Sequence, residues 1–464
     1  MNSDADLVVL GAGSAGYVGA IRAAQLGMKV TVLDPAPVGG TCLHDGCIPT
    51  KALLEVSGFL RSLAEADRFG ISVPPPSRNP EKLALYRSAI IDRLTRGIEF
   101  LFKKHGITHV RAKGWLVAPG LVRVADEVPS DLRTRFVLLA TGSRPRPLPG
   151  VPFDGRRILS STDLLRLGGF DGRIAIVGGG AIGCEFADIL SAFGSHVHLL
   201  ERESRLLPLE DPEVGDVLAR EFSGMGIDVR TGTTSLSIVP ESSHLSLVFR
   251  DGKGRQEEAQ TEAALVAIGR EPVLEGLGLE NVGLLPGKGG FLPVGPTGET
   301  AVPGIYAAGD LVGGLLLAHK ASQEAIIAVE AMTGRSPHPL DPARVPRVVY
   351  THPEAVSVGL TREEAEGRGH SVSEGRFPLM ANGRSLIEGN RRGFFKVFSD
   401  MATGRILGFH GIGPHASEMI GPVASAMGDK EGARRLMEGV FPHPTVSEAI
   451  HEAFLDLFGE AIHR

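Results

Sequence analysis

The chain has 464 residues, of which 42% are hydrophobic and 22% are charged, and its net charge is −6. This is the composition of a globular protein with two to four domains, and its charge gives no reason to expect nucleic acid as a partner. No apolar run approaches the ~20 residues that cross a bilayer, so we expect no membrane span. With no signal peptide before the first apolar run and three cysteines in all, a cytoplasmic enzyme is expected.

The first chemical signature is a glycine-rich turn between a strand and a helix. An apolar run over residues 7–10 enters Gly11-Ala12-Gly13-Ser14-Ala15-Gly16, and a second strand ends at Asp34. In a dinucleotide-binding unit such glycines allow a tight turn, the approach of a diphosphate and close helix packing, and the acid can bond a ribose hydroxyl. A glycine turn without a ligand is the alternative, but the positions of strand, helix and acid favour a dinucleotide.

Two of the three cysteines, Cys42 and Cys47, follow this unit with four residues between them. In a regular helix their Cα atoms would lie roughly 8–9 Å apart, whereas a disulfide needs about 5.5–6 Å. A bond between them requires a distorted backbone, which Gly46 can supply, and a strained, accessible disulfide is typical of a catalytic one. A helix with Pro49 as its first residue would place Cys47 near a helix N-terminus, where a thiolate is favoured. A structural clamp or two unpaired buried thiols remain possible on spacing alone.

The second half of the chain repeats the glycine-rich theme. A strand predicted over residues 173–177 leads into Gly178-Gly179-Gly180-Ala181-Ile182-Gly183, and a strand over 196–200 ends before Glu201. Two such units in one chain predict two bound dinucleotides. A carboxylate at Glu201 accepts from ribose hydroxyls and repels a 2′-phosphate, which favours NAD over NADP. Arg202 weakens this preference, because an arginine can hold a phosphate.

These motifs together resemble the pyridine nucleotide–disulfide oxidoreductase family. The resemblance rests on Gly-Gly-Thr-Cys-x4-Cys-Ile-Pro-x-Lys at residues 39–51, and the family's motifs follow in order from about residue 6 to about residue 452. It implies an α/β fold with two Rossmann-like dinucleotide-binding domains, for FAD and NAD, and a C-terminal α+β dimerisation domain. The expected domains are an FAD-binding domain at 1–150, an NAD-binding domain at 151–275, a central segment completing the FAD domain at 276–345 and an interface domain at 346–464.

The resemblance also implies roles for single residues. Cys42 and Cys47 are expected to form a redox-active disulfide, with Cys42 toward the substrate and Cys47 toward the flavin. Lys51 and Glu185 are expected to pair beside the flavin. The other implied cofactor-binding residues are Gly11, Gly13, Gly16, Asp34, Gly114, Thr141, Gly142, Ser143, Asp310 and Ala318 for FAD, Gly178, Gly180, Gly183 and Glu201 for NAD, and Gly269 where the second domain closes. No metal site is expected.

Near the C-terminal end, His443 precedes Pro444 and is therefore expected to be extended, with its ring exposed. Thr445 and Glu448 fit a capping box for the following helix, and spacing alone favours this interpretation of Glu448. The resemblance instead implies that Glu448 orients His443, which reaches into the partner subunit's active site. Both roles are possible only if the carboxylate is shared.

The implied activity is the oxidation of dihydrolipoyl groups by NAD+ through the disulfide and FAD. The expected enzyme is a homodimer that serves the lipoyl domain of a 2-oxoacid dehydrogenase or glycine cleavage complex. Another NAD(P)H-dependent disulfide or mercuric-ion reductase of the family is the alternative, although mercuric reductases typically end in a cysteine pair that this sequence lacks. A flavin-bound redox sensor would need neither the second nucleotide unit nor His443. His44 and Asp45 depart from the usual residues between the cysteines and leave the disulfide's potential and substrate open.

Overall fold

The computed structural model describes residues 3–125, 129–389 and 392–463. The chain divides into two compact units. The first unit comprises residues 1–52, 78–146 and 269–342, and the second comprises residues 53–77, 147–268 and 343–464. The boundaries of the four domains expected from the sequence remain a prediction.

The elements of the described residues are numbered in chain order. The strands are β1 (Ala5–Leu10), β2 (Val30–Leu33), β3 (Thr108–Val110), β4 (Lys113–Ala118), β5 (Leu121–Ala125), β6 (Ser130–Leu139), β7 (Ser143–Pro145), β8 (Ile158–Leu159), β9 (Arg173–Val177), β10 (His196–Leu200), β11 (Asp228–Arg230), β12 (Thr234–Pro240), β13 (Leu245–Arg250), β14 (Gln256–Thr261), β15 (Ala263–Val266), β16 (Arg270–Pro272), β17 (Ile305–Ala307), β18 (Arg347–Val349), β19 (Glu354–Gly359), β20 (Val372–Pro378), β21 (Phe394–Asp400) and β22 (Ile406–Gly413). The α-helices are α1 (Ser14–Gln25), α2 (Gly40–His44), α3 (Cys47–Ala64), α4 (Pro80–Lys104), α5 (Ser161–Leu167), α6 (Ala181–Ala192), α7 (Pro212–Gly224), α8 (Ala318–Met332), α9 (Arg362–Gly367), α10 (Gly383–Glu388), α11 (Ala416–Ala426), α12 (Gly432–Met437) and α13 (Glu448–Leu457).

The first unit is built on a parallel sheet with the strand order β3-β2-β1-β6-β17. Leu7 and Val9 pack among residues of α1, α4 and α8, whereas Val8 and Leu10 pack on the antiparallel strands β4 and β5. Because both faces of β1 are covered, its residues 7–10 are continuously apolar instead of alternating. The carboxyl ends of these strands carry the glycine turn and Asp34.

The second unit contains a parallel sheet of the same plan, with the strand order β11-β10-β9-β15-β8. In each unit the parallel sheet is accompanied by three antiparallel strands, β4-β5-β6 in the first and β12-β13-β14 in the second. The internal repeat expected from the two glycine motifs is therefore visible in the strand order. The same unit also holds the antiparallel sheet β18-β19-β22-β21-β20, with α11 and α13 contributing to its apolar core. Among the described residues, no helix is long and apolar enough to cross a membrane.

Two local expectations are corrected. Helix α3 begins at Cys47, so Pro49 is its third residue and not its first. A proline is tolerated there because the N–H groups of the first turn have no intrahelical partner. The prolines of segment 144–152 predict a linker, but its first residues belong to β7, which pairs antiparallel with β16.

Gly58 in α3 offers a stability test. A Cβ at Gly58 would lie 2.6 Å from Nε2 of His352, whereas a Cβ at Gly97 in α4 would meet no heavy atom within 4 Å. Alanine normally stabilises a helix interior by about 0.5–1 kcal/mol relative to glycine. We expect Gly97→Ala to raise the melting temperature, and Gly58→Ala to lower it by displacing the His352 ring. Thermal unfolding of both variants checks this, and an equal rise in both would contradict it.

Candidate active site

The two cysteines lie on either side of a break in the helical backbone. Helix α2 ends at His44, Asp45 leaves helical geometry at φ −131° and ψ 19°, and α3 starts at Cys47. A Cβ at Gly46 would lie 2.9 Å from the carbonyl oxygen of Thr41, so the turn brings two backbone segments unusually close. The distortion that a Cys42–Cys47 bond requires is therefore present at Asp45 and Gly46.

Both cysteines are partly buried thiols in this structure. A hydrogen bond to Cys47, burial, and the charge of an ionised Cys47 raise the pKa of the Cys42 thiol well above its ordinary value, and the charge of Lys51 opposes this rise. Cys47 is the first residue of α3, where the helix dipole favours a thiolate. The surroundings of Cys42 thus favour its protonated form.

The first glycine turn has the geometry of a dinucleotide site. The N–H of Ala12 donates to Asp34 Oδ2 at 2.7 Å, and the N–H of Ala36 donates to Oδ1 at 2.8 Å. Gly13 is the N-cap of α1 and has no side chain with which to cap, so the helix end can receive a diphosphate. A Cβ at Gly16 would lie 1.8 Å from the oxygen of Gly11, which explains the third glycine.

The second glycine turn repeats this arrangement with a longer acid. The N–H of Gly179 donates to Glu201 Oε2 at 2.5 Å, and the N–H of Glu203 donates to Oε1 at 2.7 Å. The two turn-to-acid bonds span the same sequence separation of 22 residues, from Ala12 to Asp34 and from Gly179 to Glu201. Asp34 thus also binds its glycine turn, although its side chain has one methylene fewer than that of Glu201. Gly180 is the N-cap of α6, as Gly13 is of α1.

Ser143 and Asp310 are brought together by a residue that sequence reasoning missed. The Ser143 hydroxyl donates to Asp310 Oδ2, while Arg270 donates from Nε to the Ser143 hydroxyl and from Nη2 to its carbonyl oxygen, both at 2.7 Å. Burial lowers the pKa of Arg270, and the charges of Asp310 and Cys47 oppose this effect. Arg270 directly follows Gly269, which the sequence motifs indicated, but the neighbouring sequence gave no sign that Arg270 is buried.

The turn at Asp310 is held by two further residues that the motifs did not indicate. Glu324 accepts from the N–H of Gly309 at 2.9 Å and from Lys320 at 2.8 Å, and the buried Lys320 also donates to the oxygen of Gly313 at 2.8 Å. Both side chains lie in α8, which starts at Ala318 after the apolar N-cap Leu317. The start of α8 therefore has no side-chain cap, and the contact of Ala318 with FAD stays a prediction.

Three further glycines that were predicted at cofactor sites differ in their surroundings. A Cβ at Gly114 would lie 2.4 Å from Leu33 Cδ1, so this glycine packs under the end of β2, and its contact with adenine stays a prediction. A Cβ at Gly142 or Gly269 would meet nothing within 4 Å, so both positions are open. The Thr141 hydroxyl donates to the carbonyl oxygen of Val273 at 2.7 Å. This bond joins the segment that leaves the first unit to the segment that returns to it.

Glu185 lies in the second unit and Lys51 in the first. Glu185 is buried on α6 and accepts from the N–H of Tyr350 at 3.1 Å. Its pairing with Lys51 stays a prediction. Cys184 is fully buried beside it, and burial raises the pKa of its thiol, so it stays protonated.

The carboxylate of Glu448 is shared. Its Oε1 lies 2.9 Å from Nδ1 of His443, and its Oε2 accepts from the N–H of Thr445 at 2.8 Å. The capping box is otherwise wrong, because α13 begins at Glu448 with Ser447 as its N-cap and the Thr445 hydroxyl donates to Pro442 instead. The His443 side chain is 80% exposed, as expected. An oriented, accessible imidazole can exchange protons with a substrate.

Comparison with known proteins decides the family. Residues 5–325 match the profile described as pyridine nucleotide-disulphide oxidoreductase, and residues 345–454 match its dimerisation domain. The chain belongs to this family. It is 42% identical to the dihydrolipoyl dehydrogenase of Bacillus subtilis (strain 168), with 100% of both chains covered. The predicted family, fold class and enzyme class, and the family's use of FAD and NAD, are confirmed.

Solved structures of the family give the same result. The crystal structure of LpdA from Mycobacterium tuberculosis superposes with a TM-score of 0.89 at 30% identity, covering 97% of this chain and 98% of that one. The Cu(II) complex of the HOCl-induced flavoprotein disulfide reductase RclA from Escherichia coli superposes with a TM-score of 0.83 at 26% identity, covering 98% and 99%. Both neighbours span the whole fold, including the C-terminal sheet.

Glu201 is buried, and its proposed role of binding a ribose hydroxyl of NAD leads to a testable prediction. Glu201→Gln removes the charge held by two backbone N–H groups, which is worth about 1.5–3 kcal/mol per bond. We expect the KM for NAD+ to rise at least about 10-fold. Arg202→Ala is the matched control, because that side chain is 81% exposed and pairs with Glu203. Steady-state kinetics with NAD+ and NADP+ check this, and a larger effect of Arg202→Ala would contradict it.

Proposed function

We propose that this protein oxidises dihydrolipoyl groups and passes the electrons to NAD+. The observation that carries the proposal is the Cys42–Cys47 pair, a protonated thiol hydrogen-bonded to a cysteine at a helix N-terminus, in one unit with a dinucleotide-binding turn. The full-length similarity to a dihydrolipoyl dehydrogenase supports the choice of substrate.

The residues of the first unit fit FAD. The uncapped start of α1 suits the diphosphate, Asp34 suits a ribose, and Asp310 with Ser143 suits the hydroxyls between diphosphate and ring. When bound, FAD supplies a two-electron relay between a dithiol and a nicotinamide. In the second unit, the start of α6 and Glu201 would hold NAD in the corresponding way.

The chain's own residues account for the thiol chemistry. His443 of one subunit, held by Glu448, takes a proton from one substrate thiol in the active site of the other subunit, and the resulting thiolate attacks the Cys42 sulfur of the disulfide there. The S–S bond breaks and Cys47 leaves as a thiolate. The second substrate thiol then attacks the substrate sulfur of the mixed disulfide while its proton passes to Cys42. The bond between Cys42 and the substrate breaks, the substrate disulfide closes and Cys42 leaves as a thiol. One dithiol is oxidised and one enzyme disulfide is reduced.

The dimerisation domain supports a homodimer. We further propose that the dithiol is carried by the lipoyl domain of a 2-oxoacid dehydrogenase or glycine cleavage complex. A cytoplasmic location is also proposed, since a catalytic dithiol and few cysteines suit a reducing compartment.

A second candidate is an NAD(P)H-dependent disulfide or metal-ion reductase. It is favoured by the similarity to RclA, which is named a flavoprotein disulfide reductase and was solved with Cu(II). His44, between the cysteines, departs from the family pattern. Its Nε2 lies 2.9 Å from the carbonyl oxygen of Val38, so this histidine takes part in the hydrogen bonding of the turn.

A comparison of substrates distinguishes the two candidate functions. Initial rates are measured for dihydrolipoamide with NAD+ and, in the opposite direction, for NADH with lipoamide, glutathione disulfide, Hg2+ or Cu2+. We expect kcat/KM for the lipoyl substrates to exceed that for the others by at least about 100-fold, equivalent to about 2.7 kcal/mol. A higher value for glutathione disulfide or a metal ion would overturn the proposal in favour of the second candidate.

A further inference from the structure

A fully buried carboxylate that no sequence motif indicated, Asp188, lies one turn after Glu185 on α6. Its Oδ1 accepts from the Ser57 hydroxyl at 2.6 Å and from Arg61 Nε and Nη2 at 3.2 and 3.1 Å. Its Oδ2 accepts from the N–H of His352 at 2.7 Å and lies 3.2 Å from the Nδ1 of that ring. Oδ1 thus binds α3, and Oδ2 binds the loop after β18.

A carboxylate removed from water persists only where its charge is compensated. Burial opposes ionisation of Asp188, but the His352 ring, the charge of Arg61 and the Ser57 hydroxyl outweigh it and hold the pKa of Asp188 below its ordinary value. Nη2 of Arg61 also donates to the backbone oxygen of Asp188 at 3.0 Å. The carboxylate is therefore charged and held from several directions.

The bonds of Asp188 fix α3 in rotation and along its axis. Ser57 and Arg61 lie one turn apart on α3, and Gly58 between them leaves room for the His352 ring, which a Cβ would meet at 2.6 Å. Helix α3 is continuous from Cys47, so a rotation of its second half turns its first residues too. The loop after β18 is tied to α6 twice, at Glu185 by Tyr350 and at Asp188 by His352.

We propose that Asp188 is a positioning residue for the dithiol reaction: it fixes the rotation of α3 and thereby the direction in which the Cys47 thiolate points. The inference rests on the proposed function only in that Cys47 is the reactive thiolate. It does not depend on which dithiol is the substrate.

Asp188→Asn tests this in the full-length, FAD-loaded enzyme. Asparagine has the shape of aspartate but only one acceptor oxygen. It therefore cannot accept hydrogen bonds from both α3 and His352. The enzyme is reduced anaerobically with dithiothreitol, and the long-wavelength thiolate–flavin absorbance is measured per bound flavin. We expect this absorbance to fall to less than about half, and the rate of reduction by the dithiol to fall about 10-fold, because small misplacements of reacting groups have effects of this size.

Two further variants separate positioning from stability. Ser57→Ala removes one bond to Oδ1 and is expected to lower the absorbance by a smaller amount, which decides the matter if Asp188→Asn does not fold. The double variant Asp188→Asn/Arg61→Gln removes the unpaired cation and is expected to regain melting temperature but not absorbance. Normal absorbance and dithiol rate in Asp188→Asn, or in Ser57→Ala where the former does not fold, would overturn the inference. Since dithiothreitol replaces dihydrolipoamide, this outcome is independent of the substrate proposed above.

Discussion

Replacement of Cys47 by serine is expected to reduce dihydrolipoyl oxidation by at least about 10³-fold, because a residue that forms or breaks the reacting bond cannot be replaced by its neighbours. FAD should remain bound, since the residues proposed to hold it, Asp34, Ser143 and Asp310, are not touched by the substitution. The measurement is the flavin-to-protein ratio together with the rate with dihydrolipoamide and NAD+.

The matched variant Cys42→Ser separates the roles of the two cysteines. It leaves Cys47 at the start of α3 without its thiol partner, so Cys47 should ionise readily. We expect an equal loss of activity but a long-wavelength thiolate–flavin absorbance in the oxidised enzyme, which Cys47→Ser should lack. Cys184→Ala should retain at least about half of the activity, since this thiol is buried and stays protonated. Retained activity in Cys47→Ser would defeat the assignment.

The second large effect is expected at His443. Loss of a general base typically costs about 10²–10⁴-fold, so His443→Gln should lower kcat/KM for dihydrolipoamide by that amount. Electron transfer from NADH to ferricyanide, which bypasses the dithiol, should be unchanged. His415→Gln is the control, because His415 is an exposed histidine that also pairs with a carboxylate, Glu388 at 3.3 Å. An equal loss in His415→Gln, or none in His443→Gln, would contradict the assignment.

Glu448 predicts a pH effect whose sign follows from its surroundings. Burial opposes ionisation of Glu448, but the Thr445 N–H and the His443 ring outweigh it and hold the pKa of Glu448 below its ordinary value. Glu448 is then ionised throughout the neutral range, and it holds the Thr445 N–H with one oxygen and the His443 ring with the other, at 2.9 Å. Because its pKa is lowered, this contribution should be constant at neutral pH and be lost only as the pH falls through the lowered pKa of Glu448. Glu448→Gln has one acceptor oxygen and cannot hold both groups, so we expect kcat/KM for dihydrolipoamide to fall about 10-fold. An unchanged kcat/KM would show that the carboxylate does not orient the imidazole.

The parts of the fold that depend on local spacing were predictable. The two glycine turns and their acids were found because turn, strand length and acid follow one another within 22 residues. The strands around them were found because burial on both faces leaves continuous apolar runs, as in β1. The capping box failed because the Thr445 hydroxyl donates to the oxygen of Pro442 and the helix starts at Glu448 itself, with Ser447 as its N-cap.

The parts that depend on distant contacts were not predictable. Arg270 meets Ser143 across 127 residues, and Asp188 meets Arg61 across the same separation. Nothing in the neighbouring sequence distinguishes a buried arginine or aspartate from an exposed one, since the compensating partner lies elsewhere in the chain. Lys320 and Glu324 form a helical pair of the kind that is common on surfaces, yet they hold the turn at Asp310.

The most direct test of the central proposal is an anaerobic titration of the FAD-loaded protein with dihydrolipoamide, followed by addition of NAD+. We expect dihydrolipoamide to raise a long-wavelength thiolate–flavin absorbance, and NAD+ then to discharge it while NADH forms. If dihydrolipoamide leaves the spectrum unchanged while NADH alone raises the absorbance, the cysteine pair and the nicotinamide are connected but the dithiol substrate is wrong.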